Sequence, residues 1–241
     1  MTGRPQTPSK TPPKQPKQPK QARQKPVAQA NFPIDTVLKA LEKAYPTHPM
    51  SEITQCDPYK VLVACIMSLR TKDSMTFPLA IELFKRVQTP ADMVRLSLKE
   101  VEQAIYPVGF YKTKAKNILA LSQRLLDEFG GRVPDDIDTL LTFKGIGRKT
   151  ANLTVGLGYG KPAICVDVHV HRICNRFGYI QTKTPDDTEM ALRRILPEPY
   201  WHIINRVLVC HGQECCTPVS PHCSRCPVQA HCPRVGVERS R

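Results

Sequence analysis

The chain has 241 residues, 41% of them hydrophobic, enough to bury one large core or two small ones. Its net charge of +14 and pI near 9.5 point to a polyanionic partner, nucleic acid ahead of an acidic membrane surface. No stretch reaches the roughly 20 apolar residues that cross a bilayer, and no secretory-type apolar region follows the N-terminus. The expectation is therefore an intracellular protein outside any membrane, cytoplasmic and nucleoid-associated if bacterial.

Half of the positive excess sits in residues 1–30, which hold five lysines, two arginines and no acid. The Lys14-Gln15-Pro16-Lys17-Gln18-Pro19-Lys20 repeat offers no apolar face, so this stretch is expected to be a disordered basic tail. A solvated arm for phosphates, a silent extension and a targeting peptide are its three readings.

Beyond it the chain reads as helix after helix. Ile34, Val37, Leu38 and Leu41 share one helical face, and Pro46 marks its end. Asp57-Pro58 supplies an N-cap and first helical position ahead of Leu62, Val63, Ile66 and Met67, which are spaced for burial. Thr89-Pro90 repeats that signal, and Ser97-Leu98-Lys99-Glu100 has the form of a capping box. Ile118, Leu119, Leu125, Leu126 and Phe129 form a further face, stopped by Gly130-Gly131. Alternating strand patterns are nearly absent, so the fold class is all-α.

The chemistry concentrates between Leu140 and Arg172. Two short helical patterns there flank Gly145-Ile146-Gly147, whose glycines are expected to take backbone angles closed to other residues. Amide N–H groups would then turn outward where the next helix begins, which makes an anion site fit for a phosphate. Arg148 and Lys149 follow at once, and Asp167, placed like a helix N-cap, lies eighteen positions past the lysine. A lysine and a carboxylate beside a phosphate cradle suggest chemistry on a nucleic acid backbone. Arg148 and the helix N-terminus disfavour charge on Lys149, whereas Asp167 favours it. The plainer alternative makes Asp167 only a cap, worth about 1 kcal/mol, and Lys149 only a phosphate contact.

Cysteine is the second signal. Six of the ten cysteines lie between 210 and 232, and four read Cys216-x6-Cys223-x2-Cys226-x5-Cys232. Close thiols in a loop-rich segment without a secretory signal argue for metal ligation over disulfides, with zinc and an iron–sulfur cluster both open on spacing alone. Cys210 and Cys215 remain as spare or packed thiols. His211, His222 and His231 are alternative ligands, expected instead as solvated loop residues.

The run Phe143-Lys144-Gly145-Ile146-Gly147-Arg148-Lys149-Thr150-Ala151, then Val166-Asp167-Val168-His169, then the cysteine quartet, together resemble the endonuclease III family of helix–hairpin–helix DNA glycosylases across roughly residues 31–232. The resemblance implies a [4Fe-4S] cluster on Cys216, Cys223, Cys226 and Cys232. It implies two lobes with a DNA cleft between them: a six-helix barrel over 51–161 and a discontinuous cluster domain of 31–50 and 162–241.

Lys149 is then the nucleophile and Asp167 the second catalytic group, with Lys144, Gly145, Ile146, Gly147 and Arg148 gripping the DNA backbone. Arg70 matches a gap-filling position where glutamine is usual, and Phe110 matches a second wedge that is often leucine. Phe143-Lys144 replaces the usual leucine-proline before the hairpin. The partner implied is double-stranded DNA carrying damaged bases or abasic sites, acted on by a monomer. The function implied is removal of oxidised pyrimidines and β-elimination at the abasic site through a lysine Schiff base. An adenine-type monofunctional glycosylase, which lacks the lysine, and a non-catalytic DNA-binding paralogue are the alternatives.

Overall fold

The computed structural model describes residues 32–47 and 49–241, which form helices and no strand. The expected tail of residues 1–30 lies outside the described residues. Helix α1 (Ile34–Ala44) buries Val37, Leu38 and Leu41, the face its spacing predicts. After the short α2 (Pro49–Thr54), α3 (Pro58–Ser68) starts where Asp57 accepts a hydrogen bond from the Lys60 amide at 2.8 Å. Every residue of α3 from Val61 to Met67 is buried, so it is the central rod of a core and not a surface helix.

Helix α4 (Asp73–Arg86) leads to α5 (Pro90–Val94) and α6 (Leu98–Ile105). Both of the latter open with complete capping boxes, Thr89 with Asp92 and Ser97 with Glu100, each cap worth about 1 kcal/mol. The long α7 (Tyr111–Phe129) stops at Gly130, whose φ of 59° is left-handed. A helix–hairpin–helix follows, α8 (Ile137–Leu141) and α9 (Arg148–Leu153), and α9 runs on into a π-helical turn at Thr154–Gly158. Helices α10 (Val168–Arg176), α11 (Pro185–Ile195) and α12 (Ile203–Glu214) precede a C-terminal segment of turns.

Two separate apolar cores result. One surrounds α3 and draws on residues from Met50 to Ala163. The other gathers α1, α10, α11 and α12, with Ile164 and Val228 among its buried members. The crossing of α10 and α12 is close at Gly212, where a Cβ would fall 2.4 Å from His169 Nδ1. That contact fixes the start of α10 against its neighbour. Among the described residues no helix is long and apolar enough to cross a membrane.

Candidate active site between two cores

A cleft of about 1120 Å³ opens between the two cores. The segment after α3 (Arg70, Lys72, Asp73) forms one wall, the start of α9 (Gly147, Arg148, Lys149) a second, and the start of α10 (Asp167, His169) a third. Lys149 and Asp167, far apart in sequence, thus reach one cavity.

The hairpin is anchored from beneath by apolar residues. Phe143 is 4% exposed, lies against Phe129, and carries the Arg124 guanidinium 4.2 Å from its ring centroid. Ile146 is 7% exposed and its amide donates to the Phe143 carbonyl at 3.1 Å. Ile146 is therefore an anchor of the hairpin and not a DNA-facing residue, because both its side chain and its amide are already engaged. Lys144, Gly145 and Gly147 remain exposed.

One of the two glycines meets the expectation of an unusual backbone angle and the other does not. Gly145 has φ of +87°, and a Cβ there would lie 2.9 Å from Asn117 Nδ2, so only glycine fits without strain. Gly147 has φ of −105°, open to any residue, and a Cβ would meet nothing within 4 Å. What glycine provides at 147 is open space over the amides that begin α9, not an unusual backbone angle.

Arg148 also departs from the expected phosphate contact. Its guanidinium donates twice to the Glu189 carboxylate, at 2.9 and 2.6 Å, and Arg193 donates to the same group at 3.0 Å and to Asn152 at 2.9 Å. Burial pushes the Glu189 carboxyl up, but the two guanidinium groups more than offset it and hold it below the usual carboxylate range. Arg148 is thus the strap that ties α9 to α11, unavailable as a free cation.

Lys149 is half-buried at the cleft wall. Burial is the largest single influence on its ammonium and favours the neutral amine. Cys165, Cys65, Asp167 and Asp73 act in the other direction and together hold it above the ordinary lysine range. Burial keeps both thiols protonated near neutral pH, that of Cys65 pushed up to about 11, so the charged groups then facing the ammonium are the carboxylates of Asp167 and Asp73.

Asp167 caps α10, as its position in the sequence suggests: Oδ1 accepts from the His169 and Val170 amides at 2.8 and 2.9 Å. Both bonds fall on one oxygen, which leaves Oδ2 for chemistry. Capping and catalysis are compatible in this carboxylate.

Arg70 and Phe110 are both exposed and both left-handed, with φ of 56° and 60°. Three residues of the cleft region carry no mark in the sequence patterns above. Glu189 carries the interhelical ion pairs, Gln213 donates to Asp73 at 3.1 Å, and Lys114 is a buried ammonium under the Arg70 segment. Only Glu189 has a local signal, its i, i+4 spacing to Arg193.

The four cysteines of the quartet line a second, small cavity, together with Cys215 and His211. Their chemistry fits a cluster. Arg176 donates to the Cys216 sulfur at 3.2 Å and to the Thr217 carbonyl at 2.8 Å, while Arg172 donates to the Cys216 carbonyl at 2.9 Å, so positive charge faces a thiolate ligand. His211, expected as a solvated loop residue, is instead fully buried within α12, its Nδ1 3.3 Å from the Tyr45 hydroxyl and its Nε2 3.7 Å from the Cys226 sulfur.

A helix–hairpin–helix beside a lysine and a carboxylate, with a cysteine-lined cavity in the second core, defines a class, the base excision DNA repair proteins. Residues 63–198 match the family model described as HhH-GPD superfamily base excision DNA repair protein, and residues 216–232 match the iron-sulfur binding domain of endonuclease III. Endonuclease III of Thermotoga maritima is 38% identical over 199 residues, 83% of this chain and 92% of the relative. That of Bacillus subtilis is 35% identical over 195 residues, 80% and 89% of the two chains.

Solved structures described as a non-covalent endonuclease III–DNA complex and as a trapped endonuclease III–DNA covalent intermediate each align with TM-score 0.73 and 33% identity, covering 83% of this chain and 94% of theirs. The chain belongs to the endonuclease III family, and is a DNA-binding base excision repair enzyme of the DNA glycosylase and abasic-site lyase class with a [4Fe-4S] cluster.

Proposed function

We propose that the protein is a bifunctional DNA glycosylase that removes oxidised pyrimidines from duplex DNA and then cleaves the abasic site, with Lys149 as nucleophile and Asp167 as its partner. The observation that carries this reading is the convergence of Lys149 and Asp167 on one cleft, at the ends of helices from different cores. A base inside a duplex must be turned out of the stack to reach such a cleft. The exposed hairpin at Lys144, Gly145 and Gly147 offers the grip on the backbone.

The Lys149 ammonium first loses a proton. Asp167 Oδ2 is the acceptor within the site, and displacement of water by the bound duplex favours that loss. The neutral amine then attacks C1′ of the damaged nucleotide. The bond to the base breaks, and the base leaves with the electron pair and takes the proton that Asp167 holds, which restores the carboxylate. The sugar ring opens to an iminium, which acidifies the C2′ proton. Removal of that proton sends electrons through C3′, the bond to the 3′ phosphate breaks, and water later releases the lysine. Once restored, the Asp167 carboxylate also stabilises the positive charge of the iminium.

Cys216, Cys223, Cys226 and Cys232 would hold the cluster. It supplies a rigid cross-link of the C-terminal segment, and no step of base removal needs it. We place the barrel at 51–161 and the cluster domain at 31–50 and 162–241. We take the protein to act as a monomer: Lys149 and Asp167 meet in a cleft that one chain builds. The test is nicking of duplexes with thymine glycol or an abasic site. Lys149→Ala should lose nicking on both, and nicking retained at the native rate would refute the assignment.

A further inference from the structure

A fifth thiol faces the cysteine-lined cavity of the second core. Cys215 lines it beside the quartet and is 5% exposed. The stretch that matches the iron-sulfur binding domain starts at Cys216 and leaves Cys215 outside it.

The backbone explains why two consecutive cysteines reach one cavity. Cys215 caps the end of α12, where its amide donates to the His211 carbonyl at 2.9 Å and the Cys216 amide donates to the same carbonyl at 2.7 Å. One acceptor thus holds both residues at the turn where the helix stops. Their sulfurs then have different neighbours. Cys216 Sγ accepts from Arg176 at 3.2 Å. The Cys215 thiol donates to the His222 carbonyl at 3.3 Å, a weak bond for such a donor. Its sulfur also lies within 4.8 Å of both the Cys226 sulfur and a ring nitrogen of His211.

Cys226 is partly exposed where Cys215 is buried, so solvent-borne oxidants and chelators reach Cys226 first. A buried thiol beside a more accessible ligand can take its place. His211 is the other donor in reach, but it is fully buried in the body of α12 with its Nδ1 3.3 Å from the Tyr45 hydroxyl. Thiolate also suits an iron–sulfur cluster better than imidazole does.

We propose that Cys215 is a reserve ligand for the cluster, placed to take over the iron of Cys226 when Cys226 cannot hold it. This rests on the ligand quartet proposed above. The exchange balances without any electron transfer. The Cys215 thiol gives up its proton and its sulfur bonds to iron, while the bond from the Cys226 sulfur to that iron breaks. Cys226 leaves as a thiolate and takes up a proton, so the charge of the site is unchanged. Where residue 226 carries no thiol, the proton passes to water. The two sulfurs are close enough that the change asks for side-chain rotation and not for a new fold.

The test compares iron and sulfide content and cluster absorbance in full-length proteins purified without oxygen. Cys226→Ala should keep at least about half of the native iron, and the double variant Cys215→Ala with Cys226→Ala less than about a tenth. Cys232 lies outside the group that Cys215 forms with Cys226 and His211, so Cys232→Ala should lose its iron as the double variant does. Folded Cys226→Ala that keeps no more iron than Cys232→Ala would overturn the proposal and leave the quartet standing. Iron retained in the double variant, or a three-iron cluster in Cys226→Ala, would overturn it as well. Iron retained in Cys232→Ala would overturn the quartet, and the proposal with it.

Should Cys226→Ala not fold, a second measurement decides alone. Cys215→Ser keeps the size of the side chain, its hydrogen bond to His222 and the whole quartet, but not the thiolate. Its cluster absorbance should decay at least about threefold faster than the native protein's under a strong iron chelator. A slower decay than that would assign Cys215 to packing and overturn the proposal.

Discussion

Burial, the largest influence on Lys149, favours its neutral amine, whereas the carboxylates of Asp167 and Asp73 are among the groups that favour the ammonium, so its reactivity depends on losing a proton. A raised lysine pKa means that the reactive amine grows as pH rises. Schiff-base formation on a preformed abasic site should therefore increase from neutral into alkaline pH. Asp167→Asn removes a charge that favours the ammonium, so the rise should move to lower pH even if the maximal rate falls. Single-turnover borohydride trapping across pH reads this directly, and an unmoved profile would show that Asp167 does not tune the amine. The glycines at 145 and 147 should separate in the same way. Gly145→Ala must place a side chain at φ +87° against Asn117, and should cost about 1–2 kcal/mol in denaturant unfolding. Gly147→Ala should leave stability nearly unchanged, because its angles are ordinary and its surroundings open, while weakening DNA binding by crowding the phosphate approach.

Helices α9 and α11 are joined by a network that binary patterning does not reveal. Glu189 is 2% exposed and shared between Arg148 and Arg193. Removing the carboxylate leaves two guanidinium groups facing each other, so Glu189→Ala should lose about 3–5 kcal/mol of stability. The pH dependence has a definite sign. A carboxyl held below its unfolded value stabilises the fold above that unfolded value, and the contribution fades as pH falls through the folded one. Thermal melts should accordingly show a steeper acid-side decline for the native protein than for Glu189→Gln. Helix starts at Asp57, Thr89 and Ser97 are legible in the sequence because a cap joins a side chain to the very next turn. The role of Arg148 is not, because its partner lies forty-one residues away, and local spacing says nothing of such a pairing. Ile146 escapes the sequence for the opposite reason: a hairpin motif marks which backbone faces DNA, but not which side chain holds the turn down.

The whole molecule divides its apolar residues between two cores and places its reactive groups in the cleft they leave. The cysteine quartet is readable from spacing, but spacing alone leaves zinc and a cluster equal, and it is the match of residues 216–232 to the iron-sulfur binding domain of endonuclease III that separates them. The buried position of His211 has no local mark, since it depends on how α12 packs against α1. Charge acts at this scale as well. Half of the +14 lies in residues 1–30, so deleting them should flatten the dependence of log affinity on log salt, by about 0.9 for each phosphate that the segment neutralises. An unchanged slope would show that the segment does not touch DNA.

The central claim is that Lys149 forms a covalent bond with the sugar. Borohydride reduction in the presence of abasic duplex DNA, followed by peptide mass mapping, tests it most directly. A DNA adduct is expected on the peptide carrying Lys149, and none in Lys149→Ala protein whose cluster absorbance is intact. An adduct on another lysine, or trapping undiminished in that variant, would contradict it.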